Sequence, residues 1–430
     1  MTIENNQAMN VPPAPTKRRE LPIPAWKKKA LESDESAVPA GLDYDDEEIT
    51  KVRDRISGLR LAESKETGPK FVIGSATEAS SEHPERNEDA FEIFGDRGIL
   101  ATADGMGGAP AGDFASHEAV SQLQIDKIDG ALSSAKTVKE IKTAELIKSV
   151  FGSSKDATLA KKNVETAISA MLLRMNDEVE KLGQTEVVRK KIEDHLMERP
   201  EGFDPNDSNH KRTMSRLMRS IGSTVSLMKT WRNEKGENMM TVGNIGDSRI
   251  YRLRHGALER LTRDDSQVQI LLEEGLIAND QDLQQEIDKS KILEIVGREK
   301  NPRTELLSLA QKMTQKPGKK ITIAGIRHTV LQAAGLKSIL KQELGSDFKP
   351  FVHTYDMEDG DAFVAVTDGI SDNLTDEEIR SIIATHFENP QMIAEELKLA
   401  AIKRSLEDEK ENARAKPDDM TAVAAVFLGE

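Results

Sequence analysis

The sequence predicts an α+β domain in which strands and helices form separate layers. Short segments rich in β-branched and apolar residues, broken by Gly, occur in clusters along the chain. Between the clusters lie longer segments whose apolar residues recur at steps of three and four, as in amphipathic helices. Because the strands and helices do not alternate one for one, a parallel βαβ sheet is not expected.

Eight segments have the composition of β-strands. They cover residues 70–77, 90–95, 98–104, 222–230, 238–246, 248–256, 362–368 and 420–428. The last two are almost continuously apolar, which predicts strands that are buried on both faces. The GENM stretch before residues 239–246 has hairpin-turn chemistry, since Gly236 and Asn238 tolerate a positive φ.

Helical patterns occupy the gaps between the strand clusters. In residues 163–182, apolar side chains such as Ile168 and Leu172 recur with the helical period. Thr375 followed by Glu378 is a capping-box pattern and predicts the start of a helix. The predicted helices cover residues 111–125, 144–151, 163–182, 375–383 and 392–406.

The chain divides into a tail and one large domain. Residues 1–65 are predicted to be a disordered or linker tail, with at most a short helix over 45–61, because Pro alternates there with basic and acidic runs. Residues 66–430 are predicted to form the folded domain. Within it, residues 129–219 and 267–360 are predicted insertions of the kind that often form lids or binding elements. The polar stretch 198–212 is predicted to be a loop.

Composition excludes several classes of protein. The 430 residues are 37% hydrophobic and 31% charged, and no stretch approaches the roughly 20 apolar residues of a membrane helix. The first residues also lack the apolar core of a signal peptide, so a cytoplasmic location is expected. No cysteine is present, which excludes a thiol nucleophile. The net charge of -15 argues against a dedicated nucleic-acid binder.

Four aspartates stand at the ends of separated apolar runs: Asp104, Asp247, Asp368 and Asp418. Strand ends meet at a common rim of a sheet, so these carboxylates can converge on metal ions and indicate a metal-dependent hydrolase. Each one alone is weak evidence, because Asp-Gly is a common turn dipeptide. A P-loop is excluded, since no Lys-Ser/Thr follows Gly112, and no EF-hand loop is present.

The order of the motifs is more specific than any one of them. RNEDAF, ATADGMGGAPAGDFAS, GSTVSL, VGNIGDSRIYRL, LTRDDS, AVTDGISDNLT and PDDMTAVAAVF follow one another along the chain. Together they resemble the PPM-type (type 2C) metal-dependent serine/threonine protein phosphatases, especially bacterial ones. The resemblance runs from about residue 70 to 428, outside the insertions. It implies an antiparallel β-sandwich flanked by α-helices, with helical insertions.

The resemblance also implies a set of metal ligands. Asp104 would bridge two divalent ions, with the carbonyl of Gly105 beside it. The remaining implied ligands are Glu88 and, through water, Asp89 for one ion, Asp368 and Asp418 for the other, and Asp247 and Asp372 for a third, weaker ion. Oxygen-only ligands suit Mn²⁺ or Mg²⁺, and the histidines form no close pair that would indicate zinc.

The implied reaction is hydrolysis of phosphoserine and phosphothreonine by a metal-activated water, with no phosphoenzyme. Two ions about 3.5 to 4 Å apart can acidify a water and stabilise an in-line displacement. Asp104 and Asp368 would act in catalysis through the metal-bound water. The implied partners are phosphoproteins and a serine/threonine kinase, which places the protein in signalling; no nucleic-acid or membrane partner is expected.

Several positions depart from the family pattern. Pro84 stands where relatives commonly carry a phosphate-binding arginine; Arg86 lies two residues later and is either the replacement phosphate contact or a surface arginine. Met106 and Asp265 each stand where some relatives have a histidine, and Asp419 replaces the usual Asn. The alternative function is therefore a pseudophosphatase that acts as a scaffold. The sequence retains the carboxylates of all four main implied ligands, and this argues against a pseudophosphatase. They are Glu88, Asp104, Asp368 and Asp418.

Overall fold

The computed structural model describes residues 71–106, 111–198, 203–204, 206–298, 322–324, 326, 330–337, 348–408 and 411–429. Within these ranges the strands form two five-stranded sheets, and every strand pair is antiparallel. Helices flank both sheets, which confirms the predicted α+β class. The predicted tail, residues 1–65, and the helix predicted within it lie outside the described residues.

The first sheet has the order β1-β10-β9-β6-β7 and the second the order β2-β3-β4-β5-β8. The strands are β1 Phe71–Glu78, β2 Asp89–Phe94, β3 Ile99–Asp104, β4 Val225–Arg232, β5 Asn238–Ile245, β6 Arg249–Arg254, β7 Ala257–Arg260, β8 Phe351–Asp356, β9 Ala362–Val366 and β10 Met420–Phe427. Both termini of the described chain therefore pair with each other, through β1 and β10.

The two sheets pack face to face. Phe71, Phe363 and Phe427 of the first sheet belong to the same buried cluster as Met228 and Met240 of the second. The opposite face of the first sheet packs against helices near the end of the chain. Every residue of β9 and β10 is consequently buried, as their continuous apolar composition predicted.

Helices form the outer layers. They are α1 Gly112–Ser121, α2 Ile125–Ser134, α3 Val138–Phe151, α4 Lys161–Leu182, α5 Glu186–Met197, α6 Ser208–Arg219, α7 Gln267–Glu273, α8 Lys289–Arg298, α9 Asp368–Ser371, α10 Asp376–Thr385 and α11 Pro390–Ser405. The helices α1 and α4 cover the second sheet, and α10 and α11 cover the first. No helix in the described ranges is long and apolar enough to cross a membrane.

Several predicted boundaries were wrong. The predicted helix 111–125 is two elements, because α1 ends at Ser121 and α2 begins at Ile125. The predicted loop 198–212 ends at Asp207, whose carboxylate accepts hydrogen bonds from the first amides of α6. The strands β7 and β8 were missed, because both lie at sheet edges and are partly exposed, so their composition lacks a clear apolar pattern.

The two predicted insertions differ in how they relate to the core. Part of 129–219 is α4, whose buried residues Ile168 and Leu172 belong to the core under the second sheet. In contrast, the described part of 267–360 begins with α7 and has a small buried cluster of its own, which includes Leu271 and Ile292. The part of this segment around α7 and α8 therefore has a buried cluster of its own, whereas residues 351–356 form β8 of the second sheet.

Candidate metal centre

The predicted metal ligands come from strand ends at one rim of the sandwich. Asp104 is the last residue of β3 and lies opposite Asp89, the first residue of β2. Asp368 follows β9 after one residue and begins α9, and Asp418 lies two residues before β10. The strands β3 and β2 belong to the second sheet, whereas β9 and β10 belong to the first. The carboxylates therefore approach one another across the gap between the sheets.

Hydrogen bonds fix the strand ends that carry these carboxylates. The backbone amide of Asp104 donates to the Thr224 hydroxyl at 3.0 Å, and the amide of Thr224 donates to the Asp104 carbonyl at 2.8 Å. The amide of Gly105 donates to the carbonyl of Glu88 at 2.9 Å. Thus the ends of β3 and β4 and the loop before β2 are tied together, and Gly105 lies beside two predicted ligands.

The charges of neighbouring carboxylates at this rim raise the pKa values of Asp104 and Asp418. Burial, followed by the charges of Asp368, Asp89 and Asp418, raises the pKa of Asp104 well above its usual value. Burial and the charge of Asp368 likewise raise the pKa of Asp418 to about 7. Such clustering of like charges is costly unless cations balance it.

Unpaired oxygens at the same rim fit metal coordination. Within the described part of the chain, Asp89 Oδ1 and Asp368 Oδ1 are buried and have no hydrogen-bond partner. Buried polar atoms without partners are rare in folded proteins. Because the atoms available as metal ligands are carboxylate oxygens, the site suits a hard cation such as Mn²⁺ or Mg²⁺.

Glu88 lies next to Gly105, whose amide binds its carbonyl, and burial raises the pKa of its side chain to about 6. Among the neighbouring charges, that of Arg86 lowers this pKa most, and that of Asp419 raises it. Arg86 Nη2 lies 3.2 Å from Glu88 Oε1. The predicted phosphate contact is therefore paired with a predicted metal ligand and is only partly exposed.

Asp419, which replaces the usual Asn, holds the loop before β2. Its two carboxylate oxygens accept hydrogen bonds from the amides of Ser80 and Glu88, both at 2.6 Å. Ligand atoms of His83, Glu88 and Asp419 lie within 4.8 Å of one another. The sequence analysis did not identify His83 as a residue of the site. Its position five residues before the predicted ligand Glu88 was the available signal.

The predicted third-ion residues lie together. Asp247, Asp368 and Asp372 line a cavity of about 30 Å³. Burial raises the pKa of Asp247 well above its usual value, and the charges of Asp368, Asp264 and Asp372 raise it further. Asp264 was also missed from the sequence, although it lies in the LTRDDS stretch next to Asp265.

Arg249 borders this cavity and forms ion pairs with two aspartates. Its guanidinium donates to Asp264 Oδ2 at 3.0 and 2.7 Å and to Asp280 Oδ2 at 3.1 Å. Asp265 accepts a hydrogen bond from the Gly246 amide at 3.1 Å. These contacts join β6 and the loop at Gly246 to the start of the second insertion, next to the predicted ligands.

Lys416 is the main residue at this rim that the sequence interpretation missed. Its Nζ lies 2.6 Å from Asp368 Oδ2, 3.2 Å from Asp372 Oδ2 and 2.7 Å from Asp418 Oδ2. The signal was its position two residues before Asp418, because a lysine so close to a predicted ligand can reach the same site. The protein thus places one of its own cations among three predicted ligands.

Gly369 permits the approach of α9 to the loop before β10. A Cβ built on Gly369 would collide with the carbonyl oxygen of Asp419. Because Gly369 follows Asp368 and Asp419 follows Asp418, this close contact sets the separation of two predicted ligands.

One protein family and several solved structures are similar to this chain. The family model described as protein phosphatase 2C matches residues 79–407. The chain is similar to the solved structure of PppA, a regulatory component of T6SS in Pseudomonas aeruginosa, with 18% identity, a TM-score of 0.44 and coverage of 86% of this chain and 99% of that chain. For the serine/threonine phosphatase PstP/Ppp of Mycobacterium tuberculosis, the identity is 18%, the TM-score 0.43 and the coverage 84% and 99%. For the serine/threonine phosphatase Stp1 of Staphylococcus aureus, the identity is 15% and the TM-score 0.49, and the match covers 86% of this chain and 99% of that chain. A comparison with curated proteins gave no significant match.

Proposed function

Because the chain belongs to the protein phosphatase 2C family, we propose that it is a metal-dependent phosphatase that hydrolyses phosphoserine and phosphothreonine in proteins. The observation that carries the proposal is the meeting of Asp104, Asp368 and Asp418 from two different sheets, with Glu88 beside Gly105. A purely structural role would not favour several buried carboxylates so close together that their charges raise the pKa values of Asp104 and Asp418.

Two ions, Mn²⁺ or Mg²⁺, would be held by the carboxylates of this rim. Asp104 would contact both ions, Glu88 and the Gly105 carbonyl one of them, and Asp368 and Asp418 the other. Asp89 would act through water, and Asp247 and Asp372 would hold a third ion. When bound, the ions supply a water of lowered pKa and positive charge for the transferring phosphoryl group.

The chain's own groups would orient ligands and substrate. Thr224 holds Asp104 in place through the backbone. Arg86 already lies beside Glu88 and carries the guanidinium fork that matches a phosphate group, so it is the proposed phosphate contact. The substrates would be phosphoproteins, including those modified by a serine/threonine kinase.

Phosphate release from a phosphothreonine peptide, with and without Mn²⁺, tests the proposal. We expect release that requires Mn²⁺ and disappears in Asp104→Asn, because the amide removes the negative charge shared between the ions. Asp359→Asn is the matched control, since Asp359 is exposed and lies away from the site. This control should keep wild-type activity.

The second candidate function is a scaffold that retains the fold without catalysis. Pro84, at the position where relatives commonly have the phosphate-binding arginine, favours it. A folded wild-type protein that binds Mn²⁺ but releases no phosphate from the peptide would support the scaffold and contradict the phosphatase.

A further inference from the structure

Lys416 places its ammonium group within 3.2 Å of oxygens from Asp368, Asp372 and Asp418. We propose that Lys416 is a tethered cation that competes with the divalent ion proposed for Asp368 and Asp418, and so weakens binding at this position. The inference rests on the proposed function, because it assumes that these carboxylates bind metal.

The backbone of Lys416 is fixed so that its side chain reaches these carboxylates. The amide of Lys416 donates to Asn373 Oδ1 at 3.1 Å, and Asn373 Nδ2 donates to the Lys416 carbonyl at 2.9 Å. Asn373 Nδ2 also donates to the carbonyl of Gly369 at 2.8 Å. Since Asn373 is fully buried, this side chain locks the loop of Lys416 onto α9, the helix that begins with Asp368.

The ammonium already contacts both carboxylates that the divalent ion would need. Asp418 Oδ1 accepts a hydrogen bond from the amide of Asp419 at 3.0 Å, and Asp418 Oδ2 pairs with Lys416, so both oxygens already have a partner. Asp368 Oδ2 also pairs with Lys416, whereas Asp368 Oδ1 has no partner. An ion bound by both Asp368 and Asp418 would have to displace the ammonium from Asp418 and would remain repelled by its charge.

The two proposed ion positions should therefore differ in affinity. In the described part of the chain, Arg86 pairs with one predicted ligand, Glu88, at 3.2 Å, whereas Lys416 lies within 3.2 Å of three. Lys416 would also stabilise the protein without ions, because its charge balances part of the negative charge of Asp368, Asp372 and Asp418.

The test compares Mn²⁺ binding by calorimetry in the wild type, Lys416→Met and Lys416→Gln. Methionine keeps the length of the apolar stem, and glutamine keeps a polar end, so the pair guards against a folding defect in one of them. We expect the Kd of the weaker Mn²⁺ site to fall about tenfold or more, which corresponds to about 1.4 kcal/mol. Without Mn²⁺, both variants should unfold at a lower temperature than the wild type.

Controls separate this inference from the proposed function. Lys148→Met removes a charge from an exposed pair with Asp129 and should leave Mn²⁺ affinity unchanged. Adding Asp104→Asn to Lys416→Met should abolish the gained affinity. If the wild type binds Mn²⁺ through Asp104 but the Lys416 variants bind equally or more weakly, the inference alone is overturned. If no variant binds Mn²⁺, the proposed metal centre fails and the inference fails with it.

Discussion

The hydroxyl of Thr367 donates a hydrogen bond to Asp89 Oδ2 at 2.7 Å and so joins the two sheets at the rim of the sandwich. Thr367 follows β9 in the first sheet, and Asp89 begins β2 in the second. The same hydroxyl accepts a hydrogen bond from the amide of Thr421 in β10 at 3.0 Å. One buried oxygen atom therefore links three strands that surround the proposed metal centre.

Thr367→Val should destabilise the protein. Valine has nearly the same shape but leaves Asp89 Oδ2 and the Thr421 amide without this partner, which costs about 1 to 3 kcal/mol for a buried group. Urea unfolding at pH 7 measures the loss. Thr166→Val is the matched control, because the Thr166 hydroxyl is exposed and bonds only within its own helix. Equal stability of the two variants would contradict the linking role of Thr367.

The fold class could be predicted because it depends on the pattern of apolar and polar residues within short segments of the chain. The continuous apolar runs of β9 and β10 identified strands that are covered on both sides. The edge strand β8 could not be recognised in the same way, because its burial is irregular and its sequence contains polar residues such as His353 and Thr354. Its place in the sheet depends on pairing with β5, which is a long-range contact.

Gly369→Ala should weaken metal binding and have a smaller effect on the packing of the hydrophobic core. The added methyl group would collide with the Asp419 carbonyl oxygen, so α9 must move away from the loop before β10. That movement would separate Asp368 from Asp418. We expect at least about a tenfold rise in the Kd for Mn²⁺, corresponding to about 1.4 kcal/mol, measured by calorimetry.

Gly130→Ala is the control for this substitution, since a Cβ at Gly130 has no heavy atom within 4 Å among the described residues. It lies inside α2, where alanine is the better helix former, so stability should be equal or higher. Unchanged Mn²⁺ affinity in Gly369→Ala would show that the contact with Asp419 does not set the ligand geometry.

Arg86→Met should raise KM for a phosphopeptide more than it lowers kcat. Loss of a charged hydrogen bond costs about 1.5 to 3 kcal/mol, which is roughly tenfold or more in KM. The reason is that Arg86 carries the guanidinium nearest Glu88, where a phosphate could bind. Steady-state kinetics with the phosphothreonine peptide measures both constants.

A purely structural role for Arg86 gives a different result. If Arg86 only holds Glu88, its loss should change the Kd for Mn²⁺ and leave KM unchanged at saturating metal. Arg380→Met controls for loss of a charge, because Arg380 pairs with Glu377 on an exposed helix face. The KM of Arg380→Met for the peptide and its Kd for Mn²⁺ should match those of the wild type.

The sequence predicted which aspartates stand at strand ends, but not which other charges join them. Asp104 and Asp368 were identified because each follows an apolar run directly. Lys416 was missed, because its contact with Asp368 depends on how Asn373 folds the intervening chain back. Such contacts arise from tertiary structure, and neither periodicity nor composition indicates them.

Lys229 is a buried lysine that plays no part in the proposed chemistry. It is fully buried in β4, and its ammonium donates to the Arg97 carbonyl at 2.5 Å. Burial, with a smaller effect from the charge of Arg97, lowers the pKa of Lys229 to about 7. In the unfolded chain a lysine has a pKa of about 10.4.

Stability should therefore rise with pH above about 7 because of Lys229. Between pH 7 and about 10.4 the unfolded chain binds more protons at this group than the folded protein, so the free energy of unfolding increases by at most about 1.4 kcal/mol per pH unit. The contribution is complete above 10.4 and is lost as the pH falls through 7. Urea unfolding at pH 6.5, 7.5 and 8.5 should show this rise in the wild type relative to Lys229→Met. Lys181→Met, which removes an exposed lysine, should follow the wild type. Parallel pH profiles for the wild type and Lys229→Met would mean that Lys229 keeps its proton in the folded protein throughout this range.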